Sequence, residues 1–285
     1  MNLREVRKKI KSVGNVKKIT KAMQLVSAVK MKKAQEVALQ GRPYKTGLEE
    51  IVSRLLPTVD ISLSNLLVTH TENNGRSLMI LFTSHKGLCG AFNMNLFRVL
   101  LKEVDFKKTD FITVGKKGAV FVSLMGAPII ADFSEHVGAM DTAAIFELAL
   151  KHYFEDKYES VYLVYNSFIS TLRSEPKREL FLPFSLEYTA EGKASQQEEN
   201  EYTIEPNPIE LVDHLLQSFL EEKIRTAILN TEAAEHSSRM IAMKNATDNA
   251  TEVMYDLTLT RNRLRQEKIT YELLDMITAK ESVEA

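Results

Sequence analysis

Apolar residues follow two regimes along this chain. Near both ends they recur every three or four positions, and in the middle they gather in short runs separated by turn residues. The longest stretch of the first kind, residues 209–285, holds neither glycine nor proline, the two main helix breakers. As one helix it would span roughly 115 Å at 1.5 Å per residue. Within it Ala246, Ala250, Val253, Leu257, Thr260, Leu264, Tyr271 and Leu274 make a narrow apolar seam, interrupted at Glu267. A seam that narrow predicts a partner helix. Residues 3–40 supply one: they lack proline, hold only Gly14, and place Leu3, Val6, Ile10, Val13, Val16, Ile19, Met23 and Val26 at steps of three and four. Three successive three-residue steps between Ile10 and Ile19 predict a stammer that overwinds a supercoil locally. The simplest arrangement is an antiparallel pair formed by the two termini, with the middle of the chain inserted as a separate body.

The helix near the N-terminus meets Gly41, Arg42, Pro43 and Gly47, which predict a kink before it resumes over residues 48–56. Residues 58–76 read as polar or irregular and end in the turn signal Asn73-Asn74-Gly75. The middle then alternates. Strands are predicted at 77–82, 111–114, 128–133 and 160–168, with a fifth, more exposed one at 179–188. Helices are predicted at 91–104 and 142–154, and residues 119–125 follow Gly115 and Gly118. Strands alternating with helices predict a mainly parallel sheet covered on its faces. Residues 189–205 are acidic, polar and of low complexity, and Pro206 and Pro208 close them. The predicted fold is α/β: a long antiparallel coiled coil of the N- and C-terminal helices plus an inserted Rossmann-like α/β domain. Its expected divisions are residues 1–57, 77–189 and 206–285.

Charge sharpens this picture. The net charge of −1 conceals eleven basic residues against one acid, Glu5, within residues 1–33. Like charges spaced four apart destabilise an isolated helix, so counter-charge is expected from an acidic surface elsewhere. Nucleic acid, anionic lipid and an acidic protein all fit that requirement. Aromatic residues interleaved with the lysines would favour nucleic acid, and residues 1–43 contain none. No run of about 18 apolar residues exists, and one cysteine, Cys89, permits no internal disulfide. A cytosolic or cytosol-facing protein is expected.

Candidate chemistry is sparse. The turn S-H-K-G-L-C-G-A-F-N at 84–93 stands where a dinucleotide-binding domain carries its phosphate loop, yet it matches neither G-x-G-x-x-G nor G-x-x-x-x-G-K-[ST]. Gly87 and Gly90 are expected instead to permit tight strand-to-helix packing. Cys89 near His85 lacks any visible means of lowering its pKa and is expected to be packing. The six histidines are scattered without metal-ligand spacing. No catalytic set, metal site or cofactor site is expected.

The motifs themselves carry a resemblance. I-K-S-V-G-N-V-K-K-I-T-K-A-M-Q-L-V-S-A-V-K-M at 10–31 with R-P-Y at 42–44, G-L-C-G-A-F-N at 87–93, R-M-I-A-M-K-N-A-T-D-N-A at 239–250 and R-Q-E-K-I-T-Y-E-L-L at 265–274 resemble the F-type ATP synthase γ subunit. The matches keep the family's order and spacing over essentially the whole chain. The resemblance implies a rotor: a coiled coil turning inside a ring of three α and three β subunits, with its α/β body beside the ε subunit and on the membrane-embedded c-ring. A proton or sodium current would turn it, and catalysis would belong to the β subunits. Carried over by motif, Lys17, Lys18, Lys21, Met23 and Lys30 face the acidic helix-turn-helix tips of β, and Arg265, Gln266 and Thr270 face the β catch loop. The tail D-M-I-T-A-K-E-S-V-E-A departs from the family's small-residue ending. The cysteine-bearing insert of chloroplast members is absent, and so is a mitochondrial presequence. A peripheral protein on the cytoplasmic face of a bacterial plasma membrane is therefore expected. A basic coiled-coil nucleic-acid-binding protein is the alternative, and an α/β enzyme with helical arms is a third reading resting only on Gly87 and Gly90.

Overall fold

A computed structural model describes residues 2–55, 66–67, 75–134, 142–155, 158–184 and 208–284, and the side chains of 208–210 and 281–284 fall outside the description. Two helices bracket the chain, α1 (Leu3–Leu55) and α5 (Pro208–Glu284). By contact the chain resolves into two compact units, residues 1–28 with 239–285, and residues 29–238, so each of these helices contributes to both.

The first unit is an antiparallel helix pair. Gly14 faces the Met254 side chain, and six residues later the Thr20 hydroxyl meets that of Thr247 at 2.8 Å. Rising numbers on one helix thus meet falling numbers on the other. On α1 the positions turned inward are Val6, Val13, Thr20 and Ser27, seven apart, with Leu3, Ile10, Lys17 and Gln24 between them. On α5 they are Met243, Ala250, Leu257 and Leu264, with Thr247, Met254 and Arg261 between. Both are unbroken 3.5-residue repeats, so the expected stammer is not there. It arose from following apolar residues where the seam runs through Lys17, Thr20, Gln24 and Ser27. Val16, Ile19 and Val26, read as seam, are exposed by 49%, 60% and 56%. On α5, Ala250, Leu257 and Leu264 hold their predicted places, while Val253 and Thr260 are exposed and Met254 and Arg261 take the seam instead.

α1 also passes through Pro43 without ending. The proline removes one N–H from the helical ladder, and the neighbouring residues 36–40 and 42–44 are exposed, so solvent can reach the freed carbonyl of Leu39.

The second unit is built on a five-stranded sheet. Its strands are β1 (Ser77–Phe82), β2 (Thr109–Val114), β3 (Ile129–Asp132), β4 (Ser160–Ser170) and β5 (Arg173–Leu182), in the order β3-β2-β1-β4-β5. The first four are parallel, with Ser77 opposite both Thr109 and Ser160, and β5 returns antiparallel to β4. The helices α2 (Phe92–Glu103), α3 (Lys116–Leu124) and α4 (Thr142–Phe154) connect them. Because side chains alternate, β1 sends Leu78, Ile80 and Phe82 to one face and Met79 and Leu81 to the other. The first face packs against α4, Leu48 and Val52 of α1, and the part of α5 from Val212 to Ile228. The second packs against Leu96, Phe97 and Leu100 of α2 and Val122 of α3, with Phe97 stacked on Phe121 at 4.0 Å. Burial on both faces explains the continuous apolar run of β1.

β5 begins six residues before the predicted fifth strand. Its first half alternates Arg173, Glu175 and Lys177 outward, the charged dressing of an edge strand, which hides it from a hydrophobic reading. Leu66, in the stretch read as polar, is buried, and its carbonyl accepts a hydrogen bond from Phe184 N–H at 2.9 Å. The predicted low-complexity strip 189–205 lies outside the described residues.

Candidate partner-binding surface

The basic helix starts on a capping box. Arg4 N–H donates to Asn2 Oδ1 at 3.3 Å, and Asn2 N–H donates to Glu5 Oε2 at 3.1 Å. The sole acid of residues 1–33 is therefore engaged at the helix end. Residues 1–28 carry eight lysines and arginines against Glu5, and the opposing residues 239–264 carry four against Asp248, Glu252 and Asp256. The helix paired with α1 does not neutralise it. The counter-charge demanded by the sequence is not met within this unit.

Lys18 and Lys21 are exposed, Lys17 is half-buried in the seam and Met23 half-buried beside it, and Lys21 Nζ donates to Gln24 Oε1 at 3.3 Å. These four occupy two turns of α1 in the first unit. Lys30 belongs to the second unit, where its charge, with those of His85 and Lys33, acts on Glu232. Burial and the neighbouring Glu235 push that carboxyl up, and Lys30, His85 and Lys33 oppose the shift. Arg265, Gln266 and Thr270 sit on α5, where every residue from 265 to 280 is exposed. Thr270 Oγ1 donates to the Gln266 carbonyl of its own helix at 3.0 Å. The Thr20–Thr247 register sets Lys17 opposite position 250, about 20 Å along the coil from Arg265. Within the first unit the predicted contact residues thus form two separate groups.

Hydrophobic reading missed the polar seam and the apolar face it turns outward. The recoverable signal was the seven-residue spacing Val6-Val13-Thr20-Ser27-Ala34, in which small polar residues hold places usually given to leucine.

The turn 84–93 serves packing. In an open α/β sheet, ligands bind beyond the strand ends where the crossovers diverge, here between β1 and β4. That place is occupied by protein. Cys89, Phe92 and Ala234 of α5 are buried together against Phe168. Asn166 Nδ2 donates to the Phe92 carbonyl at 3.3 Å, and Phe168 N–H donates to Asn230 Oδ1 at 3.2 Å. Asn93 Nδ2 donates to Ser84 Oγ at 2.7 Å and to Cys89 Sγ at 3.5 Å, while His85 Nδ1 lies 2.8 Å from the Ser134 carbonyl. Cys89 and His85 therefore have different partners. The close strand-to-helix approach expected of Gly87 belongs to other glycines. Gly87 has open space around it, whereas a Cβ on Gly115 would lie 2.2 Å from the Thr83 carbonyl oxygen and one on Gly118 2.8 Å from Thr83 Oγ1. Among the described residues no helix is long and apolar enough to cross a membrane.

The comparisons agree with one another. The family model described as ATP synthase matches residues 2–283. The ATP synthase gamma chain of Geobacter sp. (strain M21) is 36% identical over 295 residues, covering 99% of each chain. That of Herpetosiphon aurantiacus is 38% identical over 290 residues, covering 96% of each. Among solved structures, a chain of the Euglena gracilis mitochondrial ATP synthase, OSCP/F1/c-ring, aligns with a TM-score of 0.66 at 19% identity over 99% of this chain and 94% of its own. A central stalk/c-ring chain of the Tetrahymena thermophila enzyme aligns at 0.55 with 24% identity over 80% and 99%. Those two likenesses carry the fold, and the matches along the whole sequence carry the family: the chain belongs to the ATP synthase gamma chains.

Proposed function

We infer that this chain is the central-stalk rotor subunit of an F-type ATP synthase, coupling rotation of an ion-driven c-ring to conformational change in three catalytic β subunits. The observation that carries this is the antiparallel coil, with eight basic residues against one acid over residues 1–28 and four against three over the opposing residues 239–264. Such a coil requires an acidic sleeve, and the acidic tips of the β subunits meet that requirement. The α/β body is proposed to stand on the c-ring beside ε, peripheral to the cytoplasmic face of a bacterial plasma membrane. It holds no catalytic role here, and ATP is bound and cleaved by its partners. Family membership removes the nucleic-acid alternative.

The chemistry suits a moving contact. Exposed lysine–carboxylate pairs contribute about 0.2–1 kcal/mol each, whereas breaking a buried pair costs about 3–5 kcal/mol and would trap one orientation. Lys17, Lys18 and Lys21 with Met23 are proposed to form the weak-pair collar, and Arg265, Gln266 and Thr270 the second contact further along. Lys30 is kept in the proposed contact set, although Glu232 supplies part of its counter-charge.

The direct test reconstitutes the chain with α and β subunits, tethers the ring and watches a bead on the α/β body while ATP is supplied. Stepwise unidirectional rotation is expected, and hydrolysis without rotation would overturn the reading. Met23→Lys probes the collar itself. It should leave the complex assembled while ion pumping per ATP falls, because each added cation strengthens the grip by up to about 1 kcal/mol.

A further inference from the structure

Within the second unit, the hairpin of β4 and β5 outreaches the rest of its sheet. β1 pairs with β4 only as far as Val164, whereas β4 runs on to Ser170 and pairs there with the start of β5 at Arg173. Against this arm α5 presents a line of its own, Lys223, Ala227, Asn230, Ala234 and Ser237, at steps of four and three. The polar members stand seven apart, and each is bonded to the hairpin. Lys223 Nζ lies 3.1 Å from Glu179 Oε1, and the other carboxylate oxygen accepts from Tyr165 OH at 3.0 Å and pairs with Lys177 Nζ at 3.2 Å. Asn230 Oδ1 accepts the Phe168 N–H at 3.2 Å, while its Nδ2 donates to the Thr226 carbonyl of its own helix at 2.9 Å. Ser237 Oγ donates to the Thr171 carbonyl in the turn at the tip. Ala227 and Ala234 are buried between them. Glu179 is the partner of Leu163 in the hairpin, so the contacts climb β4 from the level of 163 to 168 and 171. From 223 to 237 the helix rises about 21 Å, and from 163 to 171 the strand rises about 26 Å, so helix and arm keep pace.

We propose that this arm is a spline: it fixes the rotation of α5 about its own axis against the sheet, with Lys223, Asn230 and Ser237 as the positioning residues. The proposal rests on the rotor reading, under which the sheet has to turn that helix. Adhesion and resistance to roll come from different contacts. The apolar cluster on the sheet takes α5 as far as Ile228, and apolar contact, being non-directional, resists separation more than roll. Hydrogen bonds are directional, and two of the three partners on the arm are backbone groups, which cannot swing aside as a side chain can. Their polarity also alternates, since Asn230 accepts and Ser237 donates. A roll of α5 by one residue, about 100°, would carry all three side chains off the arm together. The spacing of seven makes this possible, because it is nearly two whole turns and returns each polar side chain to the same side. The alanines between them let helix and strand come close enough for short side chains to reach.

The test uses the chain assembled with α and β subunits, the ring tethered and a bead fixed on the α/β body, in the stalled state before ATP is added. The spread of bead angle then reports how stiffly the body holds the shaft. Asn230→Ala and Ser237→Ala each remove one fixed point and leave two, so either variant should assemble and show a wider spread than wild type. The double variant should raise the angular variance by up to about threefold, since one of three comparable bonds remains. For rescue, Asn230→Ala is combined with Thr171→Cys and Ser237→Cys in a Cys89→Ser background, and the spread is read before and after a short bis-maleimide joins the two thiols. Joining them should return the spread to the wild-type value, a recovery that a general loss of stability would not show. An unchanged spread in the single and double variants, or a widened one that the link does not narrow, would overturn the spline and leave the rotor reading standing. Wild-type beads that do not turn when ATP is then supplied would overturn both.

Discussion

The Thr20–Thr247 contact is the best place to test how the coil holds its register. Both hydroxyls are buried and 2.8 Å apart. Thr247 Oγ1 also donates to the Met243 carbonyl at 2.8 Å, which uses its one proton and leaves Thr20 to donate across the interface. Thr20→Val removes that donor, and Thr247 keeps its own-helix bond. Thr247→Val removes the acceptor, and Thr20 can fall back on the Lys17 carbonyl at 3.1 Å. Neither single change strands a buried hydroxyl, so each should cost about 1 kcal/mol, the net value of a neutral hydrogen bond, and not the 1–3 kcal/mol of an unsatisfied one. Replacing both gives a valine pair of nearly the same shape and should be close to neutral. The assay is native-state hydrogen exchange on the full chain, following amides of residues 17–27 and 243–251. Each single variant should open about fivefold more often and the double variant about as often as wild type. A double variant whose effect equals the two singles added together would show that the hydroxyls do not interact, and the register argument would fail with it.

Other substitutions have worked signs. Gly115→Ala should destabilise the α/β body by at least about 3 kcal/mol, because φ is +107° there and the added Cβ would overlap the Thr83 carbonyl; a melting temperature within a degree or two of wild type would contradict this. Burial pushes the Glu179 carboxyl up, but Lys223 and Lys177, at 3.1 and 3.2 Å, outweigh it and hold it below the ordinary carboxylate range. Its contribution is therefore present above the unfolded carboxylate pKa of about 4.3 and lost as pH falls through the lower folded value. Lys223→Met should cost about 3 kcal/mol at neutral pH and flatten that acid limb in denaturant titrations, and an unchanged limb would be the contrary result. Glu222 has the opposite sign: burial raises its carboxyl against the pull of Arg225 and Lys45, so folding disfavours its ionised form. Glu222→Gln should stabilise the chain near pH 7 and make no difference well below pH 4, which unfolding at the two pH values would decide.

Local rules were enough for much of this protein. The absence of glycine and proline over residues 209–285 determined a single long helix, since nothing in the backbone chemistry could end it. The apolar runs at 77–82 and 160–168 determined buried strands, and the turn glycines between them punctuated the β/α alternation. The charge of residues 1–33 pointed to an acidic partner, and the order of four motifs determined the family before any coordinate was known. The tertiary structure decided what depends on which surfaces meet. A heptad seam is specified by spacing, but its phase is set by what α5 can approach. Thr20 and Ser27 entered the seam because small side chains let two backbones come close, and Val16, Ile19 and Val26 were left outside. Edge strand β5 took its bounds from pairing with β4, which no apolar pattern records. The crevice beyond β1 and β4 was closed by Asn230 and Ala234 of α5, more than sixty residues further along the chain than Phe168. Periodicity is local and could be read from the chain; phase, pairing and closure are contacts between distant segments, and only folding brings those together.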